Sequence, residues 1–236
     1  MELVSLILLV AFAVISFFHL LGEFLFDLGK DKIILVRYLT KPLLVPLLLV
    51  FFISFYWSIN ILNVFFILAL IFGFLGDIFL MIPDPEKKRL WLKVGLGAFL
   101  VGHIFYIVAF TLNISWVWWS LFLAFPFVIA AALIHPYLTK HTGDMTKAVT
   151  AYIIVICLMG ISSTFLFLPG SWSFEYQVGG IILYFGAWLF AISDTFNGVG
   201  KFVKDFKFER VITMFTYISG QLLIIIGYIL RMTGSL

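Results

Sequence analysis

Residues 61–82 read ILNVFFILALIFGFLGDIFLMI, an unbroken apolar run carrying a single carboxylate, Asp77. Crossing roughly 30 Å of hydrocarbon takes about 20 residues of helix, so this stretch alone is long enough to span a membrane. Comparable runs occupy residues 3–22, 33–56, 90–111, 115–135, 146–168, 178–200 and 209–231, separated by short polar gaps. The runs are continuously apolar, whereas the strands of a membrane barrel alternate, so helices are expected. Composition agrees: 64% of the 236 residues are hydrophobic, 11% are charged and 29 are phenylalanine, more apolar side chain than a soluble fold can hide. The expected fold is an all-α, polytopic membrane protein: one bundle of eight transmembrane helices forming a single domain over 1–236.

With eight spans, successive loops alternate sides, and the basic residues fall on one of them. Lys30 and Lys32 precede the second span. Lys87, Lys88, Arg89 and Lys93 lie between the third and fourth, Lys140 and Lys147 between the fifth and sixth, and Lys201, Lys204, Lys207 and Arg210 between the seventh and eighth. Only Arg231 marks the opposite side. The positive-inside rule puts those four loops in the cytoplasm and both termini on the non-cytoplasmic side. The membrane would be the cytoplasmic membrane of a bacterium or the endoplasmic reticulum of a eukaryote. The first span opens Met1-Glu2 without a basic flank or a small-residue cleavage site, and so reads as a retained helix. The net charge of +3 is spread over four membrane-adjacent loops. It is therefore no nucleic-acid footprint, though it suits anionic lipid head groups.

Several chemistries lack their local frameworks. The lone Cys157 excludes an intramolecular disulfide and a CxxC redox pair. His19, His103, His135 and His141 are scattered without metal-ligand spacing, so no metal and no organic cofactor is expected. No GxSxG elbow, Walker loop or dinucleotide fingerprint occurs. Gly95 and Gly97 read as a close-packing device. Pro83, Pro85, Pro136 and Pro169 are read at span ends, and Pro42, Pro46 and Pro126 inside spans.

A carboxylate in hydrocarbon costs at least about 2.5 kcal/mol by insertion scales, so an intramembrane aspartate normally faces a protein interior and serves a function. Asp77 has a counterpart, Asp194, in the setting Ser193-Asp194-Thr195-Phe196 beside Gly76-Asp77-Ile78-Phe79. The other intramembrane polar residues are Arg37 and Lys41, His103 and Tyr106, Asn197, and Tyr217 and Gln221. Arg37 with Lys41 and Tyr217 with Gln221 are four apart, and His103 with Tyr106 and Asp194 with Asn197 three apart, so each pair shares a helix face. Given the topology, both aspartates fall late in spans descending to the cytoplasm. Arg37, Lys41 and Tyr217 fall early in ascending ones, with His103 and Gln221 near mid-depth. One polar pocket open toward the cytoplasmic leaflet is expected. His19 and Glu23, also four apart, read equally well as an interfacial pair at the end of the first span. Asp77 and His103 are 26 positions apart and Asp194 and Gln221 27 apart, an echo of the kind a parallel four-helix duplication would leave.

The motifs form a set: Thr40-Lys41-Pro42, Gly76-Asp77-Ile78-Phe79-Leu80-Met81, Gly102-His103-Ile104-Phe105-Tyr106, Ser193-Asp194 with Lys201-Phe202, and Thr213 to Gln221. In order and spacing this resembles the YhhN-type lysoplasmalogenase family of integral membrane proteins. Ile218 departs from the family's frequent second tyrosine beside Tyr217. The resemblance implies hydrolysis of the vinyl ether bond of lysoplasmalogens, releasing a fatty aldehyde and a glycerophosphoethanolamine or glycerophosphocholine. Such a reaction needs an acid to protonate the alkene carbon, a negative group to stabilise the oxocarbenium ion and a base for water. Asp77 and Asp194 fit those needs without their roles being distinguished, as paired carboxylates do in glycosidases. Arg37, Lys41 and Lys201 would bind the substrate phosphate; His103, Tyr106, Asn197, Tyr217 and Gln221 would orient carboxyl groups, water or head group. The expected partners are a lysophospholipid or lysoplasmalogen and the surrounding membrane lipids. A proton-coupled small transporter and a non-catalytic lysolipid-binding protein are the alternatives from other classes. Oligomeric state and head-group and chain-length preference are left open.

Overall fold

The computed structural model describes residues 3–30, 33–55, 61–112, 118–167 and 174–234. Among them are eight helices, each long and apolar enough to cross a membrane: α1 (Leu3–Asp27), α2 (Ile34–Phe55), α3 (Ile61–Met81), α4 (Lys88–Thr111), α5 (Ser120–Thr139), α6 (Thr146–Ser163), α7 (Phe174–Phe202) and α8 (Glu209–Thr233). Short 3-10 turns at Gly143–Met145 and Thr164–Leu166 flank α6. Apolar side chains on the helix exteriors, such as Phe17, Leu39, Phe122 and Leu133, are exposed, as a lipid-facing surface requires. The chain is a multi-pass membrane protein, and it packs as two compact units, 1–106 and 107–236, whose boundary falls within α4.

In the first unit each helix returns antiparallel along its predecessor. Ser5 hydrogen-bonds Ser54 at one end of the α1–α2 seam (2.8 Å), and His19 meets Thr40 toward the other (2.8 Å). Between α2 and α3, the Phe52 and Phe66 rings stack at 4.6 Å. Two turns or more away, Lys41 meets Asp77 in the same antiparallel register. The α3–α4 seam closes on small residues: a Cβ on Gly76 would lie 2.5 Å from the Phe99 ring, and one on Gly95 would lie 2.7 Å from Leu80. Gly97 has nothing within 4 Å, so only one of the two glycines at 95 and 97 serves packing.

The second unit has a tighter seam. Gly179 and Gly186 on α7, and Gly220 and Gly227 on α8, are each seven apart and share a helix face. A Cβ on Gly186 would lie 2.7 Å from the backbone nitrogen of Ile224, and one on Gly220 would lie 2.8 Å from that of Phe190; Gly179 and Gly227 press on the backbones of Arg231 and Leu183. Small residues permit this approach, and dispersion across the seam holds it. The α5–α6 seam is looser. His135 bonds Thr150 at 3.0 Å and Phe127 lies on Gly160, but an open apolar cavity of about 230 Å³ runs between the helices past Ile154 and Cys157.

Element boundaries depart from the sequence expectation by four residues or more at four helices; α6 stops at Ser163, where the expected span ran to 168, and gives way to the 3-10 turn Thr164–Leu166. α1 continues to Asp27, five residues past the expected end. α5 runs Ser120–Thr139 instead of 115–135, which places Pro136 inside the helix with Pro126; residues 115–117 lie outside the described set, as does Pro169. α7 starts four residues earlier and ends two later than expected. Pro42 and Pro46 are inside α2 as read. A membrane helix tolerates such prolines because neighbouring groups satisfy the freed carbonyls.

Candidate functional site

The polar groups are built separately in the two units. In the first, α2 and α3 bring Lys41 Nζ to 3.0 Å from Asp77 Oδ1, and both side chains are buried, at 7% and 4% exposure. Removing either partner would strand the other charge in a low-dielectric interior, which makes a buried pair costly to break. Gly76 has a local reason for preceding Asp77: it lets α4 approach, with Phe99 lying over it. One turn on from Phe99, His103 is buried, and its Nδ1 lies 2.6 Å from the Phe99 carbonyl oxygen. A carbonyl only accepts, so Nδ1 carries the hydrogen and Nε2 is left as the acceptor of the neutral ring. Tyr106, also buried, meets the edge of Phe66 at 5.2 Å between ring centres.

Arg37 shares a face of α2 with Lys41 but turns to α1, where its Nη1 lies 3.3 Å from Glu23 Oε1 and 3.4 Å from Oε2. Glu23 and His19 are 1% and 0% exposed. The interfacial reading of that pair is therefore corrected. Because α1 runs on to Asp27, Glu23 lies within the helix, and the face it occupies is covered by α2.

In the second unit Asp194, half-buried on α7, accepts a hydrogen bond of 2.6 Å from the Tyr152 hydroxyl of α6. Its neighbour Ser193 donates to the Thr213 carbonyl at 2.9 Å, tying α7 to α8. Asn197 follows Asp194 by one turn and is half-buried, and Lys201 in the last turn of α7 is exposed. On α8, Tyr217 and Gln221 are buried, and the Tyr217 ring meets Phe190 edge-on at 5.4 Å. The structure thus joins Lys41 to Asp77 and adds Tyr152 to Asp194. Sequence reasoning passed over Tyr152, although a tyrosine mid-span offered the same kind of signal as Tyr106 and Tyr217. No group of three or more His, Cys, Asp or Glu able to hold a metal occurs among the described residues.

Two carboxylates in membrane helices, one against an ammonium group and one against a phenol, make an arrangement suited to moving protons in an apolar setting. The chain is similar to Lysoplasmalogenase TMEM86A of Bos taurus (27% identical over 158 residues) and of Homo sapiens (30% over 158 residues). Each alignment covers 66% of this chain and 61% of the relative, so the chain matches less than two thirds of either. No solved structure matches. The family model described as the YhhN family matches residues 36–228, a stretch that takes in every site residue read from the sequence, from Arg37 to Gln221. The chain belongs to the YhhN family.

Proposed function

We propose that this protein hydrolyses the vinyl ether bond of lysoplasmalogens to a fatty aldehyde and a glycerophosphoethanolamine or glycerophosphocholine. The observation that carries the reading is the pair of intramembrane aspartates with different partners, Lys41 on Asp77 and Tyr152 on Asp194; the lysoplasmalogenase relatives support it. On this reading each unit contributes one carboxylate, reached from the cytoplasmic leaflet, in a chain with both termini on the far side. That placement rests on the distribution of Lys and Arg along the sequence.

The chemistry divides between them. Asp194, bonded to a neutral phenol, carries the transferable proton and delivers it to the alkene carbon that does not bear oxygen. The resulting oxocarbenium ion is stabilised by Asp77, the carboxylate that faces a cation. Water adds to the carbon bearing oxygen and gives up a proton to a carboxylate. The hemiacetal then collapses, its carbon–oxygen bond to glycerol breaking as the aldehyde forms and the glycerol oxygen regains a proton. With Lys41 buried against Asp77, the phosphate falls to the basic residues that keep exposure, Arg37 and Lys201, while His103, Tyr106, Asn197, Tyr217 and Gln221 orient water and head group.

The test is aldehyde release from a lysoplasmalogen by the purified protein in detergent. Turnover is expected, with a loss of about a hundredfold or more in Asp77→Asn and in Asp194→Asn, both eluting as monodisperse species. A well-behaved parent that turns over no head-group variant would move the function to transport or lipid binding, and activity surviving in both variants would remove the mechanism.

A further inference from the structure

The cluster that α1 and α2 bury between them lies partly outside the family match: His19 and Glu23 precede residue 36. Its hydrogens can be counted. Thr40 Oγ1 donates its one hydrogen to the Val36 carbonyl at 2.6 Å, so in its 2.8 Å contact with His19 Nδ1 it accepts. Nδ1 therefore carries hydrogen, and Nε2 is the nitrogen open to protonation. Nε2 faces Glu23 Oε1 at 3.6 Å. Both atoms are buried without a hydrogen-bond partner among the described residues. A ring nitrogen and a carboxylate oxygen, neither of them hydrogen-bonded, thus oppose each other, and the carboxylate is paired with Arg37 instead.

The charged and titratable groups around the pair come from three helices: Asp27 one turn on along α1, Arg37 and Lys41 on α2, and Asp77 on α3 against Lys41. Arg37 is balanced by Glu23 and Lys41 by Asp77, so these two ion pairs are neutral without a proton on His19. Arg37 keeps 22% of its side chain exposed, unlike the other three members of the two ion pairs, which are buried. An arriving phosphate that engages the guanidinium draws it off Glu23, which leaves a buried carboxylate 3.6 Å from a ring nitrogen able to take a proton.

We infer that binding of an anionic phosphate at Arg37 is coupled to the uptake of one proton by the His19–Glu23 pair. The inference rests on the reading of Arg37 as a phosphate ligand. The balance is closed: the phosphate brings one negative charge to Arg37, and the proton, taken from water onto Nε2, gives Glu23 a new donor in place of the guanidinium. The added phosphate charge and the added proton cancel. Linkage makes the effect reciprocal, so lowering the pH tightens phosphate binding and raising it weakens binding.

The test is titration calorimetry on the detergent-solubilised parent with O-hexadecyl glycerophosphocholine, which has a phosphate but no vinyl double bond, in buffers of differing ionisation enthalpy. The expected result is uptake approaching one proton per lipid bound, with affinity falling by up to about tenfold per unit rise in pH. Phosphate-free O-hexadecyl glycerol should bind without proton uptake, and His19→Gln should bind the phospholipid without it. Arg37→Gln separates the two layers. Phospholipid binding weakened by Arg37→Gln but with no proton uptake in the parent overturns the coupling and leaves the phosphate reading standing. Undiminished binding in Arg37→Gln, or no binding by the parent, overturns both. Proton uptake persisting in His19→Gln also removes the assignment to this pair. The parent measurement needs no variant to fold.

Discussion

One phenol hydroxyl distinguishes the surroundings of Asp194 from those of Asp77. A hydrogen bond between neutral groups contributes about 0.5–1.5 kcal/mol net, and the Tyr152 bond fixes which carboxyl oxygen of Asp194 is tied to α6. Tyr152→Phe is therefore expected to lower kcat for aldehyde release by up to about tenfold with KM little changed. An unaltered kcat would show that Tyr152 does not position the acid. Asp77 and Asp194 could be read from sequence because a carboxylate in a long apolar run is a rare symbol with a known cost. Tyr152 could not be singled out in the same way, because a chain with 9 tyrosines and 29 phenylalanines offers many aromatic positions whose default role is packing. The choice of Arg37's partner was hidden for another reason. Spacing puts Arg37 and Lys41 on one face, but a face four residues long on a helix is wide enough to touch two neighbours, and here it touches α1 with one residue and α3 with the other.

At the scale of elements, hydropathy located all eight helices but not all their ends. A 25-residue helix such as α1 rises about 37 Å at 1.5 Å per residue, longer than the hydrocarbon layer, so the fall in hydropathy marks the membrane edge and not the helix end. The same physics hid the burial of His19 and Glu23, which became core residues once the helix carried them against α2. Glycines behave differently according to what they face. Gly186→Val forces α7 off the backbone of Ile224 and is expected to lower stability by about 1–3 kcal/mol, visible as a lower thermal midpoint in detergent. Gly97→Ala, with open space around the position, is expected to leave the midpoint unchanged or slightly raised, since alanine is the better helix former. Equal effects at the two sites would contradict the seam.

For the whole molecule, the distribution of Lys and Arg argues for an orientation that labelling in intact cells can check. In a Cys157→Ala background, single cysteines at Lys87 and Lys204 are expected to resist a membrane-impermeant maleimide added outside until the membrane is permeabilised. Labelling from outside at both positions would invert the topology. Each unit carries one of the two intramembrane aspartates read from the sequence, which announces both carboxylates but leaves the path that a lipid would take between helices unread. That path depends on which seams yield. Where backbone presses on backbone along the glycines of α7 and α8, there is no slack to take up, and the two helices form a stiff double rod. Mechanical compliance in that unit is concentrated at α5 and α6, where the void is, so thermal breathing in the second unit is a motion of those two helices against a rigid spar.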